Sequence, residues 1–215
     1  MNGKPFIVGA VMLAVGIGAG YYVGQRELAL SASGGMSAHE HKLRMGLARL
    51  WSDHVIWTRD YIIAAVADAP DAQVASERLM KNQEDLGASI VPYYGQDAGN
   101  KLTALLKEHI AIAVDLIKAA KVDDKQAYKA TDEKWHANAR EIAQFLSSAN
   151  PNWPQEAIEQ MMYEHLRVTT AEVVARLKKD WEGDVKAFDE VFTQILMMAD
   201  DLASGIVKQF PGKFE

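Results

Sequence analysis

Three histidines stand singly within apolar stretches of this sequence, and their side chains could bind a metal ion. His54, His109 and His165 each take a core-facing position in a pattern of apolar residues spaced alternately three and four apart. This spacing is typical of helices packed in a bundle. A polar group buried without a partner costs about 1–3 kcal/mol. We therefore expect the rings to hydrogen-bond one another, to bind water or to bind a ligand.

Imidazoles from facing helices, completed by a carboxylate, are one way in which helical bundles build metal sites. The sequence predicts His54, His109 and His165 as metal ligands, with Asp184 as the carboxylate and Glu108 as its alternative. All three histidines fall near the middle of their predicted helices. In an antiparallel bundle with short loops they would therefore lie at similar heights.

The neighbours of these histidines bear on which metal would bind. Asn82 and Asn138 also fall in the apolar stripes, where their amides would orient the rings. Met161 and Met162 come one turn before His165, and a thioether ligand would favour copper. The expected cofactor is a transition metal ion, either copper, iron or zinc.

A purely structural role is the alternative for the same residues. Single histidines in amphipathic stripes are commonly satisfied by a backbone carbonyl or a polar neighbour, and the layer would then only fix helix register. Two further patterns are weaker. Glu133 and His136 form one Glu-x-x-His unit, whereas di-iron bundles need two, and Met36, His39 and His41 cluster at a helix start.

Helices must position these residues, because no stretch shows the sustained two-residue alternation of a strand. We predict an all-α fold, an antiparallel bundle of about five to six helices behind one transmembrane helix. Capping boxes, prolines and glycines set the boundaries. The predicted helices run from about Ser37 to Ala67, Ala72 to Val91, Asn100 to Lys121, Lys125 to Ser148, Pro154 to a bend near Val168, and on to about Gln209. A capping box at residues 169–172 motivates the bend, and its absence is the alternative.

The N-terminal stretch predicts a membrane anchor. Residues 5–24 carry no charge and are long enough to cross a hydrocarbon core of roughly 30 Å. Lys4 precedes this stretch, whereas Arg26 after it is followed at once by Glu27, so the charge bias places the N-terminus inside the cell. Cleavage as a signal peptide near residues 29–31 is the alternative.

This orientation divides the chain into four parts. Residues 1–4 would be cytoplasmic, 5–24 would span the membrane, 25–37 would form a flexible tether, and 38–215 would fold as an extracytoplasmic bundle. The predicted location is the inner membrane, crossed once, with the C-terminal domain in the periplasm. Gly16, Gly20 and Gly24 recur at intervals of four, a pattern typical of packed membrane helices, and would support a homo-oligomer.

Composition excludes several classes of function. A net charge of −6 without a basic cluster argues against a nucleic-acid partner. The absence of cysteine excludes thiolate nucleophiles, zinc fingers and iron–sulfur ligation. Phosphate-binding and hydrolase motifs are also missing, so neither nucleotide use nor hydrolysis is supported and no catalytic residue is assigned.

Four segments of the chain resemble a family of uncharacterised bacterial helical proteins. These segments are residues 50–59, LWSDHVIWTR, residues 92–95, PYYG, residues 150–153, NPNW, and residues 209–214, QFPGKF. The likeness spans most of residues 42–214. It implies a bacterial origin and an all-helical domain, and it gives no catalytic residues. Transferase labels sometimes attached to members of this family find no support in these residues.

Together these observations favour a binding protein over an enzyme. The main hypothesis is a membrane-anchored extracytoplasmic bundle that holds a transition metal at a buried histidine layer. The alternative is a structural or interaction protein whose polar layer only fixes helix register and whose anchor mediates oligomerisation.

Overall fold

The computed structural model describes residues 35–215, and six α-helices fill almost all of this part of the chain. They are α1 (Ala38–Val66), α2 (Ala72–Tyr94), α3 (Gln96–Lys121), α4 (Lys125–Ala149), α5 (Gln155–Leu177) and α6 (Trp181–Gln209), with a short 3₁₀ turn at Pro211–Lys213. No strand occurs among these residues. The predicted all-α bundle is therefore confirmed for this region, whereas the predicted anchor at residues 5–24 lies outside it.

Local sequence explains how the helices are separated. Asp124 and Asp180 precede α4 and α6, and their side chains accept hydrogen bonds from the backbone N–H of Ala127 and Gly183. These contacts satisfy N–H groups that the first turn of a helix leaves unpaired. Tight turns with a left-handed residue join the helices in pairs. The three left-handed residues are Asp68, Asp123 and Lys179, with φ of 53°, 53° and 58°.

Three predicted boundaries are wrong. The third helix is predicted to begin at about Asn100, but α3 begins at Gln96, directly after Gly95. Pro92 is expected to end the second helix, but α2 continues through it to Tyr94. The missing N–H of Pro92 removes one intrahelical hydrogen bond, and only two more residues follow before the helix ends. The predicted bend near Val168 is also absent. Residues 169–172 do not cap a helix, because α5 runs on to Leu177 and the chain breaks only at residues 178–180.

The six helices form a closed ring. Each packs against its neighbours in sequence, and α6 packs back against α1. Helix α1 also contacts α3 and α5, which places odd-numbered helices towards the middle of the ring. Two apolar clusters fill the interior. The larger draws on all six helices, and the smaller one is built from Tyr61, Ile62, Ala75, Ile117 and Val173.

Hydropathy of the described helices gives one further finding. None of the helices in residues 35–215 is both long and apolar enough to cross a membrane. Their apolar residues are concentrated on the faces that meet inside the bundle.

A close contact with a buried tryptophan fixes the residue type at position 205. A Cβ atom on Gly205 would overlap the indole of Trp153, lying 2.6 Å from its Cδ1. We expect Gly205→Ala to lower the free energy of unfolding by about 1–3 kcal/mol, the usual cost of overpacking. Gly46, in the exposed middle of α1, would have nothing within 4 Å of an added Cβ. Gly46→Ala should raise stability by about 1 kcal/mol. Chemical denaturation measures both, and equal effects would contradict the packing argument.

Candidate metal site

The three predicted histidines are buried and share one cavity. His54 lies on α1, His109 on α3 and His165 on α5, and each side chain is almost fully buried. All three line a cavity of about 20 Å³. The ring centres of His54 and His165 are 5.7 Å apart. Their predicted burial in one layer is confirmed, whereas their role as ligands stays a prediction.

A side-chain amide from the following helix holds each ring. His109 Nδ1 lies 2.7 Å from Asn138 Oδ1, and His165 Nδ1 lies 3.0 Å from Gln194 Oε1. His54 Nδ1 lies 3.3 Å from Gln83 Nε2. In all three pairs the amide residue follows its histidine by 29 positions. The pairs therefore join α1 to α2, α3 to α4 and α5 to α6.

The amides are themselves anchored to the backbone beside the histidines. Asn138 Nδ2 donates to the carbonyl of Leu105 at 3.2 Å, and Gln194 Nε2 donates to the carbonyl of Met161 at 3.1 Å. Each carbonyl belongs to the residue four positions before a histidine. In the first pair two residues share these contacts. Gln83 contacts His54, whereas its neighbour Asn82 donates to the carbonyl of Leu50, four positions before His54.

These repeated contacts show that the bundle is built from three similar helical hairpins. The histidines follow one another by 55 and 56 residues, as do the left-handed turn residues Asp68, Asp123 and Lys179. Both sets occupy matching places in hairpins α1–α2, α3–α4 and α5–α6. One local solution for burying a histidine thus occurs three times around the ring.

The amide orientations determine which ring nitrogen carries the proton. A backbone carbonyl can only accept, so the nitrogen of the Asn138 amide must face Leu105 and its oxygen must face His109. His109 therefore donates from Nδ1 and leaves Nε2 with a lone pair, and His165 does the same through Gln194. His54 differs because it faces an amide nitrogen, so its Nδ1 accepts and its proton lies on Nε2.

Burial keeps all three rings neutral at ordinary pH. It lowers the pKa of His109 to about 3 and the pKa of His165 to about 4. Burial also lowers the pKa of His54 well below its usual value, and repulsion from His165 and His109 adds to this effect. Neutral imidazole is the form of histidine that binds a metal.

Three polar atoms around the cavity have no hydrogen-bond partner among the described residues. They are His109 Nε2, Trp135 Nε1 and Thr169 Oγ1, all buried. The Trp135 ring packs against His109 with 5.3 Å between ring centres. A volume of about 10–15 Å³ admits one water-sized group in this measure. The cavity can therefore accept one small polar group that would satisfy several of these atoms.

The other predicted ligands lie elsewhere. Asp184 is buried, as predicted, but it does not line the cavity and instead pairs with Arg59 and Arg176. Glu108 is exposed, and neither methionine of the predicted pair lines the cavity. In residues 35–215, no group of three or more histidine, cysteine, aspartate or glutamate side chains is already arranged to hold a metal.

Sequence reasoning missed several residues of this region. Gln83 and Gln194 escape notice because each lies beside the predicted apolar stripe rather than within it. The spacing of 29 residues between histidine and amide would have identified both. Thr169 and Glu172 match a helix cap in sequence, so their burial is not expected from local pattern.

The depressed histidine pKa values predict a pH-dependent stability. As pH falls below about 6.5, histidines of the unfolded chain become protonated, whereas the same rings stay neutral in the folded protein. Stability contributed by these rings is therefore present above pH 6.5 and is lost as pH falls towards 4, by about 1 kcal/mol per pH unit for each ring. Urea denaturation of metal-free protein between pH 7 and 5 measures the net slope, in which the raised pKa of Glu172, about 7, offsets the contribution of one ring. Constant stability over that range would contradict neutral buried rings.

Comparison with known proteins adds no assignment. No protein family, no curated protein and no solved structure matches this chain. The resemblance of residues 42–214 to a bacterial helical family stays a prediction, and function must be argued from the residues themselves.

Proposed function

We propose that the bundle binds one transition metal ion in the cavity lined by His54, His109 and His165, and that it acts as a binding protein rather than an enzyme. One observation carries the proposal. Three buried polar atoms without partners, on His109, Trp135 and Thr169, line the same water-sized cavity. Buried polar atoms are normally paired, so unpaired atoms gathered at one cavity favour a bound group. His109 Nε2 can bind a cation, whereas Trp135 Nε1 can only donate and would need an acceptor such as a water.

The hydrogen bonds behind the rings support an ion. Metal-binding histidines usually donate their second ring nitrogen to a carbonyl or carboxylate, which fixes the tautomer and ring orientation. His109 and His165 have this arrangement, with amide oxygens as the acceptors. His54 has the opposite tautomer, so it would bind only after its proton moves to Nδ1 and the Gln83 side chain shifts, because Gln83 Nε2 also donates to the carbonyl of Leu79 at 2.8 Å.

The spacing of one pair of rings, His54 and His165, is close to what an ion needs. A tetrahedral ion about 2.0–2.1 Å from two ring nitrogens holds the ring centres about 5 Å apart. The centres of His54 and His165 are 5.7 Å apart, so binding would draw them together by roughly half an ångström. Trp135 Nε1 and Thr169 Oγ1 could bond to a water on the open position of the ion only if the cavity widened, because its volume admits one such group.

The set of donor atoms limits which metals the site would bind. Three imidazoles and a water suit zinc, copper or iron, and the absence of methionine from the cavity removes the argument for copper over the others. Asp184 is left out of the proposed ligand set because two arginines already engage it.

A structural role is the second candidate function. It is favoured by the amide pairs, each of which ties two helices of one hairpin together and fixes their register. Buried polar residues have this role in coiled coils. In this case the cavity would hold only water, and the three rings would contribute to stability without a metal.

Metal content separates the two candidates. Purified protein should retain close to one metal ion per chain, and adding zinc to metal-free protein should raise the melting temperature by mass action. His109→Ala should lose both properties, whereas His41→Ala, at an exposed position on α1, should keep them.

Elemental analysis and thermal melting provide the readouts. His165→Ala repeats the test in case the first variant fails to fold. The metal site would be overturned if the purified parent protein contained no metal and its melting temperature did not change on addition of zinc, copper or iron. The structural role would then remain, with His109→Ala lowering stability by about 1–3 kcal/mol regardless of metal.

We further propose that residues 5–24 anchor the bundle in the inner membrane and that it faces the periplasm. The charges flanking that uncharged stretch support this orientation. Its glycines at positions 16, 20 and 24 would support association of two copies. A reporter enzyme that is active only outside the cytoplasm should therefore be active when fused after Glu215, and activity of a cytoplasm-specific reporter at that position would refute the topology.

A further inference from the structure

Glu172 is a buried carboxylate on the helix face that lines the histidine cavity. It follows His165 by seven residues and Thr169 by three on α5, so these side chains share one face. The helical rise places Glu172 about 10 Å from His165 along the axis and one turn beyond the unpartnered Thr169 hydroxyl. The side chain of Glu172 is only 1% exposed.

Two arginines divide their contacts unequally between Glu172 and Asp184. Arg59 Nη1 donates to Glu172 Oε1 at 2.7 Å, which is the single ion pair of this carboxylate among the described residues. Asp184 accepts two hydrogen bonds from Arg59, both of 3.1 Å, and one of 3.2 Å from Arg176. The charge of Asp184 is therefore compensated more fully than that of Glu172.

The balance of forces on Glu172 leaves it able to gain or lose a proton near neutral pH. Burial raises its pKa to about 7, against the opposing effect of Arg59. The charged groups that act on it are Arg59 from α1, Asp184 from α6 and Arg176 from α5 itself. Arg59 is 19% exposed, so this cluster borders the solvent, where a proton can leave.

A divalent ion in the histidine cavity would need negative charge nearby. The cavity is lined by neutral imidazoles and by uncharged side chains, with no carboxylate among them. An uncompensated buried charge is costly. Attraction between a divalent ion and a carboxylate about 10 Å away in a protein interior exceeds the thermal energy severalfold.

We propose that Glu172 is the charge-compensating carboxylate of the cavity, protonated while the cavity holds no cation and ionised when a divalent cation binds. One cation enters, the Glu172 O–H bond breaks, and one proton leaves to solvent past Arg59. Binding therefore adds one positive charge to the protein rather than two. This inference rests on the proposed metal site and names how occupancy of that site is coupled to pH.

Proton release on zinc binding tests the coupling. Calorimetry at pH 6 in two buffers of different ionisation enthalpy should give close to one proton released per zinc ion by the parent protein. The histidines contribute none, because they are already neutral at this pH. Glu172→Gln should release no proton and should lose the dependence of affinity on pH. Glu141→Gln, an exposed carboxylate on α4, should behave as the parent.

Affinity gives the second readout. In the parent, zinc affinity should rise about tenfold per pH unit below pH 7 and level off above it, as one linked proton requires. At pH 8 the parent should bind zinc at least tenfold more tightly than Glu172→Gln. Release of a proton by Glu172→Gln would assign it to metal-bound water instead and overturn the proposal.

A measurement on unmodified protein guards against a variant that does not fold. The carboxyl ¹³C resonance of Glu172 at pH 6 should report a mostly protonated group without zinc and an ionised group with it. Zinc binding without this change overturns the role of Glu172 and leaves the metal site standing. Absence of zinc binding overturns both.

Discussion

The histidine–amide pair is the interaction on which the interior of this bundle depends. A buried imidazole has two nitrogens to satisfy, and for His54, His109 and His165 the partner of Nδ1 comes from the following helix. Asn138 meets both needs of its hairpin, accepting from His109 and donating to the carbonyl of Leu105. A slip of one residue between the helices would break both bonds at once. The pair therefore fixes the register of α3 against α4.

Three copies of this pair create a problem at the centre that one copy would not. Each amide pairs with Nδ1 of its ring, so the three Nε2 nitrogens need other partners, and the three residues line one cavity. Two of them carry lone pairs, on His109 and His165, and cannot hydrogen-bond each other. A cation or a donating water resolves this conflict. The proposed binding site thus follows from repeating a local packing solution around a ring.

Much of this arrangement could be predicted from local pattern, and the remainder depends on long-range contacts. Helix periodicity finds the buried histidines, since burial of one helix face leaves a direct trace in sequence. It also finds Asp184, which is 2% exposed. It cannot find that Arg59, 125 positions earlier, is the partner of Asp184. Local pattern considers only neighbours in sequence. It therefore predicts Asp184 as a ligand beside the histidines and predicts Glu172 as part of a helix cap, and both predictions differ from the structure.

The bundle already has what it needs to fold without an ion, and this constrains how an ion would act. Two apolar clusters lie on either side of the histidine cavity, which takes Leu116 and Trp135 from one and Ile117 and Val173 from the other. Small zinc domains, in contrast, obtain their folding energy from the metal itself. In this bundle, packing and amides have already oriented the rings of His109 and His165, so binding to these two would lose little ordering entropy, whereas His54 must change its tautomer. The remaining free-energy cost is that of burying a positive charge in a cavity lined by uncharged side chains, and the charged groups beside the cavity determine its size.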